Sequence, residues 1–119
     1  MKYQCISSIS VNGYKSFKVH VDGIEFSQCE RSFIEDLRAK LSAILFVPPQ
    51  NVIIAGIEPS SSLLITILIP DTYADILKWI LEHRKEMLLR PLADLYVDII
   101  ILDEKQYSLK GGSYYSTAY

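Results

Sequence analysis

Two histidines, two cysteines and a scatter of carboxylates are the residues of this 119-residue chain that could do acid–base, nucleophilic or metal chemistry. His20 falls on an alternating strand pattern and His83 in the charged run EHRKE. The two lie far apart in sequence, and no Cys, Asp or Glu spacing around either matches a metal or nucleophile site. Each reads as a surface histidine. Cys29 falls in the expected first turn of a helix, where backbone amides favour a thiolate, but no general base stands beside it. Cys5 and Cys29 lack metal-type spacing and read as free thiols of a reducing compartment. No catalytic, cofactor-binding or metal-ligating residue is assigned, and the expectation is a protein that is not an enzyme.

The whole-chain balance narrows the partners. At 50% hydrophobic and 22% charged residues the chain is long enough for one core and too short for two. The expected division is a single α+β domain over residues 1–110, with 1–13 as an N-terminal arm and 111–119 as a flexible Tyr/Ser tail carrying Tyr114, Tyr115 and Tyr119. A net charge of −2 without clustered Lys or Arg gives no footprint for nucleic acid or for an acidic membrane surface. No run reaches the ~18 apolar residues of a membrane span, and the first fifteen residues hold no signal-peptide core. The expected location is cytoplasmic.

The elements that must position any site centre on residues 47–70, VPPQNVIIAGIEPSSSLLITILIP. Two β-branched apolar runs, 52–57 and 63–69, are separated by Glu58-Pro59-Ser60-Ser61-Ser62 and read as a β-hairpin. Upstream, Tyr3, Cys5 and Ile9 suggest a short extra strand or hairpin arm before the Asn12-Gly13 turn signal. In YKSFKVHVD (14–22), Phe17, Val19 and Val21 alternate with Ser16, Lys18 and His20, the pattern of a strand. Ser27 and Glu30 have capping-box spacing, so a helix is expected from there to Phe46, with Phe33, Ile34, Leu37, Leu41, Ile44 and Leu45 on one side and the proline pair as its stop. A second helix is expected from Asp71, capped by Asp71 or Thr72. Tyr73, Ile76, Leu77, Ile80 and Leu81 make its buried stripe and Trp79 stands one position off it. Residues 87–91 are expected to round the sheet edge, and YVDIIIL (96–102) is the last strand, with Val97, Ile99 and Ile101 on one face.

Strand, helix, strand, strand, helix, strand is the order of a ferredoxin-like split βαβ sandwich. Its four antiparallel strands lie 4-1-3-2 with both helices on one face. The expected core joins Val19, Phe33, Leu37, Leu41, Ile65, Ile76, Ile80 and Ile99. The other face is expected to be bare and to show Tyr14, Ser16, Lys18, His20, Leu64, Thr66, Leu68, Asp98, Ile100 and Leu102, joined by Val52 and Ile54. Because so much apolar surface is rarely left in water, Lys18, His20, Val52, Ile54, Leu64, Thr66, Leu68, Ile100 and Leu102 are the candidate protein interface, covered by a partner, a second copy or the chain's own arm or tail. The run 52–57 is also an outer strand with only Asn51 and Glu58 at its ends to discourage pairing.

Residues 21–26, VDGIEF, superficially resemble the phosphate loop of acylphosphatases, but Ser27 stands at the arginine place and Glu25 would repel phosphate. RNA-recognition motifs stack bases on aromatics where this chain has Leu64, Ile65, Thr66 and Ile67. A small-molecule-binding regulatory domain of the ACT type is the alternative reading, on fold analogy. An apolar helix end, Pro48-Pro49 followed by Val52, an apolar strand, Ile57-Glu58-Pro59-Ser60-Ser61-Ser62 and a strand closing in Ile69-Pro70 together resemble the TRADD-N-like domains of animal innate-immune and cell-death proteins. That resemblance spans about residues 27–102. It implies a ferredoxin-like adaptor module that binds protein. A similar helix–hairpin pattern occurs in self-cleaving SEA domains, but their glycine is missing from this turn.

Overall fold

A computed structural model describes residues 12–60 and 62–109. The expectations placed on the N-terminal arm, on Cys5 and on the tyrosine tail lie outside the described residues. The alternating run after Gly13 forms β1, Tyr14–Val21, and buries Phe17, Val19 and Val21 against helices. One turn of 3-10 helix, Phe26–Gln28, precedes α1, Arg31–Leu45. The capping box belongs to that turn: the Glu25 N–H donates to Gln28 Oε1 over 3.0 Å. The expected Ser27–Glu30 box is therefore not formed. Glu30 is the N-cap of α1, and Cys29 closes the 3-10 turn instead of opening the helix. Leu37, Leu41 and Leu45, four residues apart, make the buried stripe of α1.

The central hairpin forms as two paired strands, β2 at Ile53–Ser60 and β3 at Ser62–Pro70, with Ile54 opposite Ile67, Ile57 opposite Ile65 and Pro59 opposite Leu63. α2, Asp71–Glu82, buries Ala74, Leu77, Ile80 and Leu81. The chain then adds a helix that Pro91 had hidden in the sequence, α3 at Glu86–Ala93, which buries Leu89 and Leu92. In a helix of eight residues the proline costs one backbone hydrogen bond, and those two leucines offset it. β4, Val97–Leu102, turns through Asp103-Glu104 into β5, Lys105–Ser108. Both turn residues have positive φ, 54° and 66°, as the tight twist of a two-residue hairpin demands.

The protein is thus α+β, and its described residues form a five-stranded antiparallel sheet in the order β2-β3-β1-β4-β5 with three α-helices. The fifth strand, KQYS, escaped the sequence because its polar residues carry no apolar alternation. All three helices bury into one cluster with Phe17, Val19, Val21, Leu63, Ile65, Ile67, Ile69, Ile100 and Leu102. Among the described residues no helix is long and apolar enough to cross a membrane.

Candidate association surfaces

The face of the sheet away from the helices was the expected interface, and the pairing register decides which side chains share it. Opposite residues of paired strands lie on the same face. Lys18 sits between Thr66 and Ile101, His20 between Leu64 and Ile99, and Ser16 beside Leu68. The register of β1 with β4 then shifts by one residue between His20 and Val21, so that Val21 meets Val97 and Asp98 is the extra residue. A one-residue bulge exchanges the two faces of a strand beyond it. This corrects the expected phase: Ile100 and Leu102 are buried in the helix-side core, while Ile99 and Ile101 take the other face. Asp98 turns towards His20, and Nδ1 of the imidazole lies 2.7 Å from Oδ1 of the carboxylate.

The same effect corrects β2. A register shift at Ala55, between Ile54 and Gly56, places Ile54 and Ile57 on the helix side, and Val52, just ahead of the strand, is fully buried in the core. Val52 and Ile54 are therefore packed on the helix side, and Ile53, opposite Leu68, faces the other way with Gly56 and Glu58, opposite Thr66 and Leu64. The edge is also less open to pairing than its sequence suggested. The bulge at Ala55 and Pro59 within the strand both interrupt the row of backbone donors and acceptors, two devices that discourage edge-to-edge pairing.

Nor is the far face bare. Leu64 and Leu68 are each 4% exposed, Thr66 2% and Lys18 7%, although none of them belongs to the cluster that the helices fill. The whole of β3 from Leu63 to Ile69 is buried. Runs of this kind read as strands covered on both sides. These positions hold the fold and do not present an open surface.

Of the large apolar side chains that meet water among the described residues, Phe26, Phe46, Ile53 and Tyr96 are scattered and four stand on the helix layer. Ile76 and Trp79, one turn apart on α2, are 39% and 50% exposed, and Met87 and Leu88 are exposed at the start of α3. Ile76 was expected in the core; the buried stripe of α2 instead runs through Ala74, Leu77, Ile80 and Leu81, which leaves Ile76 at its margin. The Trp79 indole is stacked on His83, with centroids 4.3 Å apart, and Lys85 lies 5.6 Å from the ring centroid. The His83 ring is further tied by its Nδ1, 2.9 Å from the Trp79 carbonyl oxygen. Two local contacts thus hold the indole in place before any partner arrives. The signal was present in the sequence, since Trp79 was already one position off the apolar stripe.

Burial pushes the Cys29 thiol up, against the lowering that a helix start would have produced. Asp103 bridges β1 and α2 through Lys15 at 2.6 Å and Lys78 at 3.5 Å. The hydrogen bond from Lys15 holds its carboxyl below the usual range against the opposing effect of burial, with smaller help from the charges of Lys15 and Lys78. Among the described residues no three His, Cys, Asp or Glu side chains converge to hold a metal ion. Comparison with known protein families, with curated proteins and with solved structures yields no match.

Proposed function

We propose that this chain is a non-catalytic association domain, a ferredoxin-like sandwich extended by α3 and β5, which pairs with a second copy of itself through the outer side of α2. The observation that carries the proposal is the pair Ile76 and Trp79, exposed together on one helix beside its buried stripe of Ala74, Leu77, Ile80 and Leu81. A pre-positioned tryptophan beside an aliphatic residue is the usual chemistry of an interface anchor. Charge favours a second copy laid antiparallel. Asp71 and Asp75 lie in the first five residues of α2, and Arg84 and Lys85 follow its end between Glu82 and Glu86, so a two-fold axis near the middle of the helix brings Asp71 and Asp75 of one copy towards Arg84 and Lys85 of the other.

The resemblance of residues 27–102 to TRADD-N-like domains extends the proposal to a cytoplasmic adaptor in innate-immune or cell-death signalling. Such adaptors act by binding and assembly, which agrees with a site made of contact residues. Sedimentation equilibrium over a range of concentrations tests the association. The wild-type chain is expected to rise towards twice its monomer mass, and Trp79→Glu, at a half-exposed position, to remain monomeric with its circular dichroism unchanged. A wild-type chain that stays monomeric throughout would sink the proposal.

A further inference from the structure

The end of α2 is folded so that basic groups gather around Trp79. The Arg84 N–H donates to the Leu81 carbonyl over 3.3 Å and the Lys85 N–H to that of Ile80 over 3.1 Å, the bonding of a Schellman turn. Its left-handed position, where glycine is usual, is taken by Arg84 at φ 51°. The turn lets two side chains reach one ring: the His83 imidazole stacks on the indole, and Lys85 Nζ stands 5.6 Å from the indole centroid. His83 Nδ1 donates to the Trp79 carbonyl oxygen, which leaves Nε2 as the nitrogen that takes up a proton. The residue is exposed, and among the described residues the ring contacts and hydrogen bonds of its imidazole are all with Trp79. The charged groups around it are Glu82, Arg84, Lys85 and Glu86 of its own segment and, across the two-fold axis, Asp71 and Asp75 of the second copy.

We propose that His83 is a proton-operated control of pairing through α2, an inference that rests on the pairing proposed above. A histidine takes up its proton between about pH 8 and pH 5. The charge then falls at the carbonyl end of a helix and on the face of an indole, two places that favour a cation. It also joins Arg84 and Lys85 in meeting Asp71 and Asp75 of the second copy. Repulsion from Arg84 and Lys85 is present in the single copy and in the pair alike, so it does not oppose association. The partner's carboxylates favour the charged ring only in the pair, so pairing draws in protons and tightens as pH falls. Two-fold symmetry makes the contact twice, and at a factor of about two for each surface charge contact the pair should be about fourfold tighter once both rings are charged.

Sedimentation equilibrium of the full chain at about pH 8 and about pH 5.5 tests the control, with circular dichroism to show that each variant is folded. The wild type is expected to associate about fourfold more tightly at the lower pH. His83→Phe, which keeps a stacked ring but takes up no proton, should associate equally at both. His83→Arg, charged throughout, should associate at the higher pH as tightly as the wild type does at the lower. A wild type that pairs equally at both pH values, or a His83→Phe chain that keeps the wild-type pH dependence, would overturn the control and leave the pairing standing. A wild type that is monomeric at both would remove the pairing and the control with it.

Discussion

Leu64 distinguishes a sheet covered on both faces from one covered on a single face. Its neighbour Ile65 points into the helix-side core, and both are essentially buried. Truncating a buried leucine or isoleucine to alanine removes its transfer free energy and leaves a cavity, about 2–5 kcal/mol, whereas surface substitutions usually stay within about 0.5 kcal/mol. Leu64→Ala and Ile65→Ala should therefore cost similar amounts, roughly 3 kcal/mol each. In urea, with a slope of about 1.5 kcal/mol per molar, that loss lowers the midpoint by ~2 M. The measurement is urea unfolding followed by far-UV circular dichroism, in the Trp79→Glu background and at one protein concentration so that association does not move the midpoint. A Leu64→Ala midpoint within a few tenths of a molar of its parent, alongside a large shift for Ile65→Ala, would show the far face open to water and refute the account of it given above.

Phe46 ends α1 at φ 60° and is 86% exposed, so it bears the strain of a left-handed residue with little packing in return. Phe46→Gly should raise stability by about 0.5–1 kcal/mol, the relief of strain exceeding the added freedom of the unfolded chain, and an unchanged or lower urea midpoint would contradict this. Asp103 has a depressed folded-state pKa, so its contribution to stability is present above its unfolded value of about 3.8 and is lost as pH falls through the folded value. Melting curves of the wild type and Asp103→Asn should differ most near neutral pH and converge by about pH 2; a gap that persists or widens in acid would exclude the Lys15 and Lys78 contacts as its cause.

Much of the fold was legible because apolar periodicity carries it. The 3.6-residue spacing of Leu37, Leu41 and Leu45 marked α1, and the two runs bounded by proline and serine marked the paired β2 and β3. What periodicity does not carry is phase across an irregularity. The extra residues at Ala55 and Asp98 each reverse the face of the side chains on one side of the bulge relative to those on the other, so Val52 and Ile54 before Ala55, and Ile100 and Leu102 after Asp98, joined the core instead of the expected interface. The short polar β5 and the proline-bearing α3 lay below any pattern threshold. For the candidate site, sequence marked Trp79 as standing off its stripe but not which face of the protein was covered. That depends on packing between segments distant in the chain.

The central claim is that two copies meet through α2 with the helices antiparallel, and complementation by charge tests it most directly. Asp75→Lys sets positive charge against Arg84 and Lys85 of its partner copy, and Arg84→Glu/Lys85→Glu sets negative charge against Asp71 and Asp75. Each variant alone is expected to be monomeric in sedimentation equilibrium, and an equimolar mixture of the two to recover the mass of the wild-type pair. A mixture that remains monomeric while the wild type is dimeric, or single variants that dimerise as well as the wild type, would contradict the antiparallel arrangement.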